Sequence, residues 1–219
     1  MPLIAIAPEI AGSVQLALFQ ATGITARGDS PPLEEDLAEI TARLRSQYSE
    51  PAAAVALLGP ARTLYRALKL DPTKTRPSSE ALIRRVITGR GLYRINRVVD
   101  TCNLCSIDFA LSIGLYDTDQ VRWPAEMRSG REGEGYPGLG KDYVNVGGRY
   151  TLVDQEGPFG NPSSDSFRTR IREETTASTF VIFAPSGYPR AKLAEHLALS
   201  AARMVRYNGG EIVMQEMIP

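Results

Sequence analysis

Two apolar runs, residues 150–154 (YTLVD) and 179–184 (TFVIFA), are the most restrictive feature of this chain, because the segment that follows the first is built of turn formers. β-Branched and aromatic residues mark both as strands. They are separated by 157–166 (GPFGNPSSDS), a polar segment so rich in Gly, Pro and Ser that it reads as a turn-rich loop. A parallel sheet joins its strands through helical crossovers of a dozen or more residues. Strands joined by loops therefore argue against a doubly wound sheet and for an α+β chain, with mixed sheets packed against helices.

The rest of the sequence supplies both kinds of element. Residues 3–7 and 14–22 read as short strands separated by Gly12. Ser30-Pro31-Pro32 opens a helix: Glu34, Glu35 and Asp36 suit its positive N-terminal end, and Leu33, Leu37, Ile40 and Leu44 fall on one face. A second helix spans 60–70. A third starts after Pro77 with Ser78 or Ser79 as cap, carries Leu82, Ile83, Val86 and Ile87 inward and stops at Gly89. Residues 98–112 read as a largely buried helix, and a strand begins at 115. From 128 to 148 glycines and charges dominate, and short strands are expected because Tyr136, Leu139, Tyr143 and Val146 call for burial. The last helix covers 189–207 with Ser186 as its cap, and 211–217 closes as a strand. The expected organisation is a single domain over 1–219, with hydrophobic residues at 43% of the chain, enough for a sizeable core.

Charge narrows the function classes. Lys and Arg total 25 against 25 Asp and Glu, so no global field draws the chain to nucleic acid or anionic membrane. No stretch approaches the roughly 18 apolar residues of a membrane span, and the start lacks the basic region of a signal peptide, so a cytoplasmic protein with no membrane partner is expected. The only cysteines, Cys102 and Cys105, are spaced C-x2-C, which suits a redox pair or half of a metal site. Zinc wants three or four protein ligands, and the only histidine, His196, sits far off between Leu193 and Leu197. No metal and no cofactor is expected, and the two thiols are read as reduced packing residues. A Ser/His/Asp triad would also have to recruit His196, and there is no GxSxG, G-x4-GK[ST] or HExxH motif.

One segment stands out against the neutral background. Residues 69–97 hold eight Lys and Arg against Asp71 and Glu80, a local excess of six positive charges that suits a phosphate backbone. Arg84, Arg85, Arg94 and Arg97 are the candidate phosphate contacts. The plain alternative is internal pairing with Asp100, Asp108, Asp117 and Asp119.

The same segment carries a family resemblance. RPSSEALIRR (76–85), GLYRINRVVD (91–100), Asn103, Ser106 and GLYD (114–117), followed by LVDQEGPFG (152–160), SSDS (163–166) and Thr175-Thr176, resemble the B3/B4 domain of phenylalanyl-tRNA synthetase β subunits, and more closely its free-standing relatives. The resemblance covers roughly residues 70–210, with 1–69 as an integral extension. It implies an α+β fold of the PheT/TilS type and, as in the synthetase, a pocket that hydrolyses the ester of tyrosine wrongly attached to phenylalanine tRNA. It departs from the synthetase at two places: a histidine before the aromatic–aspartate pair is matched by Gly114, and a glutamate on the strand after the glycine-rich loop falls at about Ile182.

The pocket candidates are Asp100 and Asn103 on the central helix, with Asn161, Ser163, Asp165 and Ser166 on the polar segment. The pocket is expected between the two. Two functions stay open: a trans-acting hydrolase of mischarged aminoacyl-tRNA, or a module that binds tRNA or a small amino-acid-like ligand without turnover. No DNA partner is expected. The missing His and Glu favour binding, whereas Ser and Thr hydroxyls, backbone donors and the ribose hydroxyl of the substrate leave hydrolysis open.

Overall fold

The computed structural model describes residues 2–219, apart from the side chains of Lys141 and Asp142. Its strands are β1 (Ile4–Ile6), β2 (Val14–Thr22), β3 (Ser112–Asp117), β4 (Ala125–Ser129), β5 (Gly135–Gly138), β6 (Lys141–Asn145), β7 (Tyr150–Asp154), β8 (Gly157–Asn161), β9 (Ser164–Asp165), β10 (Ala177–Pro185) and β11 (Glu211–Ile218). Its helices are α1 (Pro31–Gln47), α2 (Gly59–Ala67), α3 (Ser78–Ile87), α4 (Arg97–Phe109) and α5 (Arg190–Asn208). The fold is α+β, as the loop-joined strands imply.

Two sheets form its body. One has the order β11-β2-β10-β3 and is antiparallel throughout. The other has the order β1-β4-β7-β8-β9, antiparallel except where β1 runs alongside β4. The four-stranded sheet is covered on both faces, which explains why the middle of β10, FVIFA, is a continuous apolar run and why β2 carries apolar residues on both faces. On one face Ala17, Phe19, Phe180 and Ile182 meet α4 and α5 through Cys105, Phe109, Leu193 and Met204. On the other, Leu16, Leu18, Val181 and Phe183 meet Met127, Leu152 and Phe159 of the second sheet. A third cluster ties α1 and α3 to the far side of α4 through Leu33, Ile83, Leu104 and Ile107.

Several local expectations are corrected. Residues 157–166 are a hairpin of β8 and β9, because β8 finds a partner in β7 that its own composition does not announce. The buried helix ends at Phe109, where Ala110 turns into the left-handed region at φ 56°, so β3 starts at Ser112. α3 has Pro77 at its N-cap with no side-chain cap, and Ser79 is buried inside the helix. Ser186 bonds Gly12 O instead of capping α5, whose N-cap is Pro189. In the β5–β6 hairpin Tyr136 and Val146 are buried as expected, whereas Leu139 and Tyr143 are 48% and 55% exposed.

Candidate functional site

α4 is built to present three faces. Its N-cap Asn96 accepts from Val99 N at 3.0 Å, satisfying one of the free N–H groups of the first turn. One stripe packs on the four-stranded sheet and another on α1 and α3. Val99, Cys102, Asn103 and Ser106, at helical spacing, form the third and wall a cavity of about 430 Å³. Ile113 and Leu115 of β3, Leu82 of α3, Leu139 of the β5–β6 turn, Asp165 of β9 and Arg170 close it from the other sides. A second hollow of about 260 Å³ continues past Ser78, Ile113, Leu139 and Asp165 to Asn161 and Ser163.

The geometry thus brings Asn103 and Asp165 onto one cavity and Asn161 and Ser163 onto its extension. The Asn103 side chain makes no hydrogen bond to another described residue, while its backbone lies within α4. Asn161 is committed: its Oδ1 accepts from Ser163 N at 2.8 Å and Ser164 N at 3.0 Å, which holds the β8–β9 turn. Ser163 shares a hydrogen bond of 2.6 Å with the hydroxyl of Tyr65, a buried phenol whose pKa burial pushes up to about 12. Asp100 and Ser166 lie elsewhere. Asp100 accepts from Arg94 Nε at 2.8 Å and Ile95 N at 3.1 Å, bracing the loop before α4. Ser166 pairs with Thr169 Oγ1 at 2.9 Å in the interior.

Among the described residues, Asp165 is the only carboxyl lining the larger cavity. Burial pushes its pKa up to about 7, against the opposing pull of the Tyr116 hydroxyl and the Leu115 N–H. Oδ1 of Asp165 and the Tyr116 hydroxyl are both buried, and neither completes a hydrogen bond. Nothing in composition or periodicity flags Tyr116, although a signal exists in Gly114 and Gly160. A Cβ at either position would overlap the Tyr116 ring and hydroxyl, so glycine on both strands is what admits this side chain between the sheets. Gly114→Ala should therefore destabilise the fold by about 2 kcal/mol in thermal or urea unfolding, because the fully buried ring cannot move aside. An unchanged midpoint would show the cradle to be loose.

The cysteines and the histidine sit in packing roles. Burial raises the Cys102 thiol well above its ordinary value, with Cys105 and Asp165 adding to the effect, so Cys102 in the cavity wall is protonated and a poor nucleophile. Cys105 is raised mainly by burial as well. Both thiols are expected to resist a neutral-pH alkylating reagent in the native protein and to react after unfolding. Fast native labelling, or stoichiometric zinc in protein purified without added metal, would contradict this. His196 stacks on Phe109 at 4.1 Å and hydrogen-bonds the Tyr188 hydroxyl at 3.0 Å, and burial lowers its pKa to about 4.

The basic segment wraps the loop between α3 and α4. Arg84 lies 3.7 Å from the Glu80 carboxylate. Arg85 donates from Nε to Gly91 O at 3.0 Å and stacks 3.7 Å from the Tyr93 ring centroid. Arg94 pairs with Asp100 and, bidentately, with Glu34. Arg97 donates to Thr25 O at 2.7 Å and Asn208 O at 3.3 Å. The four therefore have internal partners, although Arg94 keeps 49% of its side chain exposed and Arg84 38%. Among the described residues no helix is long and apolar enough to cross a membrane, and no group of three or more His, Cys, Asp or Glu side chains is placed to hold a metal ion.

Comparison with known proteins places this architecture. No curated protein matches the chain. Among solved structures it is similar to an N-terminal fragment of the phenylalanyl-tRNA synthetase β-subunit from Pyrococcus horikoshii, at 13% identity and a TM-score of 0.45, over 99% of this chain and 54% of that one. The chain thus spans about half the length of that fragment. The family model for the B3/4 domain matches residues 61–213. That stretch holds α3, α4, the β8–β9 hairpin and the cavity between them, and with well over half of its residues matched the chain belongs to the B3/4 domain family.

Proposed function

We propose that the cavity between α4 and β9 receives the aminoacyl end of an aminoacyl-tRNA and that the chain hydrolyses mischarged aminoacyl-tRNA in trans. The observation that carries this reading is the cavity itself. Val99, Ile113, Leu115 and Ile171 offer an apolar surface for an amino-acid side chain, while Asn103 and Asp165 converge on it as polar groups able to hold an amine or an ester. The synthetase-like motifs at 91–100 and 152–166 supply the substrate class, since they lie on the elements that flank the cavity. A volume of about 430 Å³ suits an amino acid and part of a ribose rather than a nucleic-acid duplex.

A second reading is favoured by one observation: the synthetase histidine and glutamate have no replacement in kind. Gly114 faces the Tyr116 ring between the sheets, and Ile182 is fully buried on the helix side. A domain built this way can grip an amino-acid-like ligand without turning it over. Incubating the protein with a panel of mischarged tRNAs and following release of free amino acid separates the two. Loss of the ester bond from at least one noncognate pair, above the uncatalysed rate, is the expected result. Retention of every ester, together with saturable binding, would replace hydrolysis with binding.

A further inference from the structure

We infer that Asp165, which faces the Tyr116 hydroxyl of β3, is the acid–base group of this cavity. This inference rests on the hydrolytic reading above. Proton transfer needs a titratable group at the reacting centre, and the cavity leaves little choice. Ser106 Oγ is committed to Leu111 O at 2.9 Å, Asn103 cannot exchange a proton at neutral pH, and the Cys102 thiol stays protonated. Arg170 lines the same cavity but is stacked 3.4 Å from the Phe167 ring centroid and donates to Phe167 O at 2.6 Å.

Asp165 is set apart by what it lacks. No Lys or Arg is in salt-bridge contact with it among the described residues, and one of its oxygens is buried without a hydrogen bond. A desolvated carboxyl without a partner costs stability, and such a group persists where it has work to do. The groups that face it are the Tyr116 hydroxyl and Leu115 N–H from β3, Tyr136 from β5, Cys102 from α4 and Arg170 at the cavity rim. Tyr136 is spoken for by Ser164 O at 2.7 Å. Tyr116 is the one with a hydroxyl left over, and the two glycines that admit its ring fix where that hydroxyl sits.

The step balances within ester hydrolysis. The Asp165 carboxylate accepts a proton from water as the water oxygen bonds to the ester carbonyl carbon. The bond from that carbon to the ribose oxygen then breaks, and the proton passes from the carboxyl to the departing ribose oxygen. Free amino acid and uncharged tRNA leave, and the carboxylate is restored. With its pKa near 7 the group is present in both forms at neutral pH, which is what a base that must also act as an acid requires.

The test joins a rate to a titration. Deacylation of the susceptible mischarged tRNA should rise with pH through a midpoint near 7, and Asp165→Asn should lower it at least 100-fold and remove that midpoint. The Asp165 carboxyl, followed by carbon NMR, should titrate near 7 in the parent. Because a carboxyl raised on folding makes the native state less stable as pH climbs from about 4 to 7, Asp165→Asn should also withstand denaturation better than the parent at pH 8. Tyr116→Phe should shift the midpoint while leaving the protein folded. A variant as active as the parent, or a carboxyl titrating near 4, overturns the inference and leaves the hydrolytic reading standing. A parent inert toward every tRNA of the panel overturns both.

Discussion

Arg62→Ala should lower the stability of the fold by about 3 kcal/mol, a loss readily read from urea denaturation. Arg62 donates from Nε and Nη2 to the two carboxylate oxygens of Glu80 at 2.8 and 2.7 Å. Glu80, in the first turn of α3, is only 2% exposed, so removing the guanidinium leaves a buried charge without its main partner. Arg76 and Arg84 remain at 3.9 and 3.7 Å, beyond good hydrogen-bond distance, and cannot replace the bidentate pair. The bridge also joins α2 to α3, and α2 carries Tyr65, whose hydroxyl meets Ser163 at the cavity extension. Replacing both partners by apolar residues, Arg62→Met with Glu80→Leu, should recover most of the loss, because the cost lies in stranding the charge rather than in losing the pair. A loss below about 1 kcal/mol in the single variant would mean that water reaches Glu80 and screens it.

Arg84→Ala with Arg85→Ala should weaken tRNA binding about equally for all tRNAs and lower the slope of log affinity against log salt by about two. Phosphate contacts position a nucleic acid without reading its sequence. The chain has no net charge, so any salt dependence has to come from a local patch such as 69–97. The internal bonds of these two arginines do not forbid the role: Arg84 approaches Glu80 at 3.7 Å with much of its side chain exposed, and Arg85 stacks on an exposed Tyr93. The measurement is a salt titration of binding to the parent and the double variant. Equal slopes would assign both arginines to bracing the loop between α3 and α4, as Arg94 already does through Asp100 and Glu34.

The legible part of this molecule is the part where one residue pattern has one physical reading. α1 and α5 show their inner faces through leucines at helical spacing, and β10 announces burial on both sides by its continuous apolar run FVIFA. Residues 157–166 were opaque for an opposite reason. Gly, Pro and Ser are turn formers, and their strand pairing depends on β7, a tertiary partner that composition does not reveal. Leu139 and Tyr143 misled in the other direction: they are large and apolar, yet the hairpin turns them outward, Leu139 onto the cavity rim.

The site shows the same division. Asn103 and Asp165 could be picked out as polar residues on a buried helix and a polar segment, and the cavity lies between those elements. Asp100, three residues before Asn103 on the same helix, was a pocket candidate whose plainer reading was bracing a buried turn, and its side chain turns back to hold Arg94 and Ile95. Tyr116 appeared only as part of the GLYD motif, and its packing role was not legible because it is set by glycines on two strands of different sheets, Gly114 and Gly160, which only the folded chain brings together around one ring.

The central claim is that the cavity between α4 and β9 receives the charged end of tRNA, and the most direct measurement is an NMR titration of the isotope-labelled protein with a non-hydrolysable 3′-aminoacylamido-adenosine, which mimics that end. The account predicts saturable shifts centred on Val99, Asn103, Ser106, Leu139, Asp165 and Arg170, with uncharged adenosine binding more weakly at the same place. Shifts confined to the hollow around Arg94, Arg97 and Asp100, or no shifts at all, would contradict it.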